Sequence, residues 1–171
     1  LLIRLALAAY SHAALITPAD WLMPFASGFL FDLSVALIAL PVLAVFPTLL
    51  PQSWAGGKFD RSVAFTAFAV LAFMMIFQGI GEFFFWDEFT TRFNFIAVDY
   101  LIYTQEVLSN ILESYPVFPL LGLAALAAIA IAWLSRKPLL SGLNTLPGLG
   151  GRLAAFVVFC ALGTGAYAVT G

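Results

Sequence analysis

Five stretches of this chain are long and apolar enough to be read as membrane helices, at about residues 1–17, 27–50, 61–85, 116–135 and 152–170. A spanning helix needs roughly 20 largely apolar residues, and in lipid every backbone N–H and C=O must find its partner inside the segment. That requirement leaves few folds open, and with no alternating strand pattern it predicts an all-α integral membrane protein. Composition agrees, with 63% of the 171 residues apolar and only 9% charged, against about a quarter charged in soluble domains. Thirteen glycines and nine prolines are compatible with this reading, because helices in a membrane tolerate both.

Several function classes drop out at once. A formal charge of −2, with seven Lys and Arg residues scattered in ones and twos, offers no basic stripe for a nucleic acid. Cys160 is the single cysteine and sits in an apolar run, so it reads as a small packing residue. His12 is also alone, which excludes a Ser-His-Asp triad or a His-based metal site built from this chain. The segment "PLLSGLNTLPGLGG", residues 138–151, carries no charge and no phosphate-loop spacing, and reads as a flexible connection lying against the membrane surface. Because the chain opens on Leu1 and ends in a helix-like run, we expect it to be a portion of a longer protein.

Charge placement orients the spans. Lys58 and Arg61 lie in one connection, Arg136, Lys137 and Arg152 in another, and Arg4 near the start of the first span. Basic residues favour the cytoplasmic side, so the expected topology has the N-terminus inside and, after five crossings, the C-terminus outside. The opposite face receives Asp20, Asp87, Glu88, Asp99, Glu106 and Glu113 against the single base Arg92. Residues 18–26, with Pro18, Asp20 and Pro24, read as a connecting loop. Pro41 and Pro47 are expected to kink the second span.

The outer segment 87–114 stands apart. At 100° per residue, Glu88, Asp99, Glu106, Asn110 and Glu113 fall within about 60° of Arg92, and Phe93, Leu108, Ile111 and Leu112 fall elsewhere on the wheel. The pattern predicts an amphipathic helix, or two short ones, in the outer interface between the third and fourth spans. Its polar side is acidic, so attraction to anionic lipid is not its purpose. Two readings stand side by side. Either Arg92 pairs with Glu88 and the rest is a solvated face, or the segment lines a wet cleft that holds a lipid head group.

Asp32 and Glu82 sit deeper, where an ionisable group needs a partner or water. Both are expected near the outer side, where Arg92 is a possible partner. Tyr100 and Tyr103 suit an interfacial anchor.

The run "GEFFFWDEFTTRFNFIAVDYLIYTQEVLSNILESYP" resembles the outward-facing segment of the lipoteichoic acid synthase and phosphoglycerol transferase family. The likeness is concentrated in "RFNFIAVDYL", "EVLSNI" and "ESYP", with "GFLFDLSVA" adding weaker support. A more distant similarity joins the lipid A phosphoethanolamine transferases, in which an Asn is followed four residues later by Thr; Asn110 and Ser114 stand at that spacing here. The resemblance implies five N-terminal spans followed by an external domain of the sulfatase and alkaline-phosphatase type. That domain, absent from these 171 residues, would carry an activated threonine and a divalent metal, manganese, magnesium or zinc.

On this basis the chain is expected to anchor a bacterial cytoplasmic-membrane transferase and to engage phosphatidylglycerol or phosphatidylethanolamine for it. Its partners would be that lipid and its own external domain. Arg92, Tyr103, Glu106 and Asn110 are the candidate head-group contacts, with Asp32, Glu82 and Asp99 as polar support. No catalytic or metal-binding residue is assigned within the chain. An alternative of another class is a free-standing membrane scaffold or small-solute carrier using Asp32 and Glu82 as an ion site.

Overall fold

A computed structural model describes residues 2–10, 18–90, 104–143 and 147–170, and all regular structure among them is helical. The helices are α1 (Leu2–Tyr10), α2 (Pro18–Leu49), α3 (Lys58–Phe89), α4 (Thr104–Ser114), α5 (Val117–Leu134), α6 (Arg136–Leu143) and α7 (Leu149–Thr170). Four of them, α2, α3, α5 and α7, are long and apolar enough to cross a membrane. The expected first span begins in α1, and its remainder, residues 11–17, lies outside the described residues.

Two boundaries differ from expectation. Residues 18–26 are helical, not a loop, and α2 starts at Pro18. Proline suits the first turn of a helix, where its missing N–H has no intrahelical partner to lose. Pro24, Pro41 and Pro47 are also accommodated inside α2, which ends just before Pro51. The connection after the fourth span also contains a helix, α6, over residues 136–143.

The chain divides into two compact units, residues 1–62 with 140–171, and residues 63–139. In the first unit α7 lies antiparallel along α2, since Arg152 at its start reaches Pro47 and Leu50 while Gly163 farther on meets Leu37 and Pro41. Pro41 cannot donate to the Leu37 carbonyl one turn earlier, and this carbonyl faces Gly163. A Cβ at position 163 would stand 3.1 Å from the Leu37 oxygen, 3.4 Å from Pro41 Cγ and 3.5 Å from Ile38 Cα. Glycine is therefore what allows two helix backbones to approach here, the usual means of association where lipid removes the hydrophobic drive between helices.

Hydroxyl groups within the spans turn back on their own helices. Ser34 Oγ donates to Leu30 O at 2.9 Å, Thr48 Oγ1 to Ala44 O at 2.7 Å and Thr164 Oγ1 to Cys160 O at 2.7 Å. Each bond satisfies a polar group that lipid could not.

In the second unit, Ala124, Ala128 and Ala132 form a buried stripe along α5 at four-residue spacing. A shallow apolar groove of about 240 Å³ runs between Phe65, Ala69 and Phe73 of α3 and Ala125, Ala128 and Ile129 of α5. Helix α3 closes at Thr90, whose φ of 51° takes the left-handed turn that ends many helices, and whose N–H bonds Trp86 O at 2.7 Å.

Candidate functional site

Within the segment 87–114, the described residues are 87–90, at the end of α3, and 104–114, which form helix α4. Its eleven residues, TQEVLSNILES, place Glu106, Asn110 and Glu113 on one side at three- and four-residue spacing, and all three are exposed. Ile111 and Leu112 project from the other side of the helix. The amphipathic pattern expected from the sequence is thus carried by a real helix over 104–114. Arg92, Asp99 and Tyr103 lie outside the described residues.

The position of α4 is tied to the end of α3. Phe84 stacks on Tyr115 with ring centroids 4.2 Å apart and planes at 28°, directly after α4 closes. Tyr115 N–H continues the α4 ladder to Ile111 O at 3.0 Å, and Val117 N–H bonds Tyr115 O at 2.8 Å as α5 begins. Tyr115 therefore links three helices of this unit, α3 through its ring and α4 and α5 through its backbone. Stacked rings of this kind contribute about 1 kcal/mol beyond the area they bury. Tyr115 belongs to the "ESYP" word, but nothing in the sequence distinguishes it as a hinge between helices.

Glu82 is buried two turns before the end of α3, two residues from Phe84. Asp87 and Glu88 follow on the exposed last turn. Glu82 is thus placed with the acidic end of α3.

Asp32 belongs elsewhere. Because α2 starts at Pro18, Asp32 lies near the middle of a 32-residue helix instead of one turn inside its end. Its carboxylate is 3.9 Å from the Arg4 guanidinium of α1, with the side chains 47% and 20% exposed respectively. The Arg4 guanidinium packs over Gly28, where any Cβ would collide with it. Gly28 and Asp32 are one turn apart, so a space and a charge on the same face of α2 receive a single arginine. Arg4 was expected to mark the inner surface beside Arg152. It instead lies about 22 Å from the Arg152 level, fifteen residues along α2 at 1.5 Å each.

Arg152 also contacts α2, but from a buried position, and was not singled out from the sequence beyond its charge. Only 5% exposed, it donates from Nη1 to Pro47 O and Leu50 O, both at 2.7 Å, and from Nη2 to Gln52 Oε1 at 2.6 Å. The final carbonyls of a helix have no intrahelical donor, and a guanidinium both fills that vacancy and complements the negative end of the dipole. The signal available in the sequence was a lone arginine opening an apolar run, opposite in chain order to a helix ending at proline.

Among the described residues no group of three or more His, Cys, Asp or Glu side chains is placed to hold a metal ion. The chemistry this arrangement supports is binding and orientation through hydrogen bonds and charge. No protein-family model matches the chain, and no curated protein and no solved structure matches it.

Proposed function

We propose that this chain is the membrane domain of a cell-envelope phosphoglycerol or phosphoethanolamine transferase, and that it engages the phospholipid donor. The observation that carries the reading is α4, an acidic and amphipathic helix inserted between the membrane-type helices α3 and α5 and fixed there by the Phe84–Tyr115 stack. A helix in that position lies in the outer interface, with Ile111 and Leu112 toward the acyl chains and Glu106, Asn110 and Glu113 toward water. In this reading the first span comprises α1 and the residues after it, giving five crossings with the N-terminus in the cytoplasm of a bacterium.

The resemblance in "RFNFIAVDYL", "EVLSNI" and "ESYP" supplies the reaction class. An external domain following residue 171 would carry the metal and the threonine nucleophile. The membrane domain would hold the donor head group close by, so that transfer proceeds at a high effective concentration. Arg92 is the proposed phosphate contact, since a guanidinium presents paired donors to phosphate oxygens, and Tyr103, Glu106 and Asn110 are proposed contacts to the head-group hydroxyls or amine. Arg4 already engages Asp32, which weakens the alternative of a carrier with Asp32 as an open ion site.

The test uses the full-length enzyme with labelled phosphatidylglycerol or phosphatidylethanolamine. Asn110→Ala combined with Glu106→Gln changes only exposed positions on α4, so folding should persist. We expect kcat/KM for lipid to fall about tenfold, the loss of roughly one hydrogen bond to the substrate. Unchanged turnover in a protein that melts normally removes α4 from the site.

A further inference from the structure

The short connection between α2 and α3 sorts its charges in a way that the proposed lipid-donor site does not use. Helix α2 ends at Leu49 and α3 begins at Lys58, and both are long and apolar enough to span, so the residues between them sit at the membrane surface. The connection is a built turn. Trp54 N–H bonds Pro51 O at 3.0 Å, Gly57 N–H bonds Trp54 O at 3.0 Å, and Asp60 Oδ2 accepts from Gly56 N–H at 2.8 Å. Gly56 has a φ of 70°, a conformation that makes this reversal cheap only for glycine.

The result is a separation of signs. Asp60, the acid of the turn, is 1% exposed and turned onto the backbone. Arg152 is also turned inward, onto the end of α2. Lys58 and Arg61 stay exposed, three residues apart and so on one side of α3, with Arg61 Nε steadied by Gly56 O at 3.0 Å. Beside them Trp54 and Phe59 remain 55% and 54% exposed although their rings meet edge to face at 5.5 Å, and Phe46 of α2 joins Phe59 at 6.5 Å. A soluble protein would have reason to bury that aromatic surface. At the level where two spans end, it matches the belt in which aromatic rings meet the glycerol region and basic groups meet the phosphates.

We infer that the α2–α3 turn is a contact for anionic phospholipid, with Lys58 and Arg61 on the head-group phosphate and Trp54 and Phe59 seated beneath it. The contact lies at the opposite end of α3 from Glu88, and it does not depend on the transferase reading. A free phosphate ester would satisfy the two cations but leave the aromatic pair unexplained. A nucleic acid would satisfy both, yet the ends of two spans place the turn against head groups.

The full chain, purified and reconstituted in nanodiscs of phosphatidylcholine with a minor fraction of phosphatidylglycerol, should retain phosphatidylglycerol preferentially through detergent extraction, read by mass spectrometry of the bound lipid. Lys58→Gln leaves every hydrogen bond of the turn in place and should reduce that preference about fivefold; with Arg61→Gln added, the reduction should reach about twentyfold. The conservative pair Lys58→Arg and Arg61→Lys should keep the preference, and added salt should weaken it in the unaltered chain. An undiminished preference in folded K58Q and in the double variant, or indifference of the unaltered chain to salt, overturns the assignment. So does displacement of the lipid by millimolar inorganic phosphate or by a short oligonucleotide.

Discussion

Two arginines lie against the same helix, α2, and are held by different means. Arg152 meets the end of the helix, where three oxygens converge on its guanidinium at 2.6–2.7 Å. Arg4 meets the middle, where it faces the Asp32 carboxylate at 3.9 Å. The difference follows from the helix itself. Mid-helix carbonyls are occupied by the ladder, so a cation there must be answered by a side chain, whereas the terminal carbonyls are unoccupied and already arranged as acceptors. Among the described residues, the buried Nε of each arginine has no hydrogen-bond acceptor. The contrast also concerns space, since Arg4 needs the missing side chain of Gly28 while Arg152 needs only the point where the chain leaves the helix.

Removing Arg152 should have the largest effect. Arg152→Ala leaves the Pro47 and Leu50 carbonyls and the Gln52 amide without their donor, and should destabilise the domain by about 3 kcal/mol, read as a lowered midpoint in denaturant titration of micelle-embedded protein. Arg152→Lys should recover part of this, because an ammonium reaches fewer of the three acceptors in the fixed fork geometry. Equal stability of the alanine variant would place Arg152 on the same footing as a surface charge.

Gly163→Ala should come next. The added methyl meets a backbone carbonyl and an α-carbon, neither of which can rotate away, so α2 and α7 must separate at a cost of about 1–2 kcal/mol in the same titration. If alanine is tolerated without loss, the close approach is not what holds these helices together. The smallest effect is expected at the mid-helix pair. A double-mutant cycle of Arg4→Gln and Asp32→Asn should give a coupling of about 1 kcal/mol or less, as for a half-exposed ion pair that is long by hydrogen-bond standards. A coupling above that of Arg152 with Gln52 would reverse the ranking and mark the Arg4–Asp32 pair as the stronger anchor.

The legible part of this molecule was its set of apolar helices and one amphipathic helix. Apolar length marks a candidate span wherever it occurs, and the apolar helices α2, α3, α5 and α7 overlap the stretches expected at 27–50, 61–85, 116–135 and 152–170. The face formed by Glu106, Asn110 and Glu113 could likewise be drawn from the helical period alone. Less legible was where α2 begins, because Pro18 and Asp20 carry loop-forming signals that the first turn of a helix also accepts, while Pro24 is accommodated inside it. That shift moved Asp32 from the edge of a span to its middle and gave it Arg4 as a partner.

By itself, then, the sequence determined that most of this chain must hide its backbone in helices, since residues so rich in apolar groups and poor in charge leave lipid as the compatible solvent. It also determined which residues of α4 share a face, because that depends only on local periodicity. The tertiary structure decided how the charges are used. Arg152 could cap α2 only once α7 was folded back along it, Gly28 could matter only once Arg4 lay across it, and Tyr115 could join three helices only once Phe84 was brought to it. Each of these pairings links residues about 24 to 105 apart in the chain, beyond the reach of a 3.6-residue period. Their formation depends on backbones approaching closely, and the small or absent side chains that allow this leave little trace of their partners in the sequence.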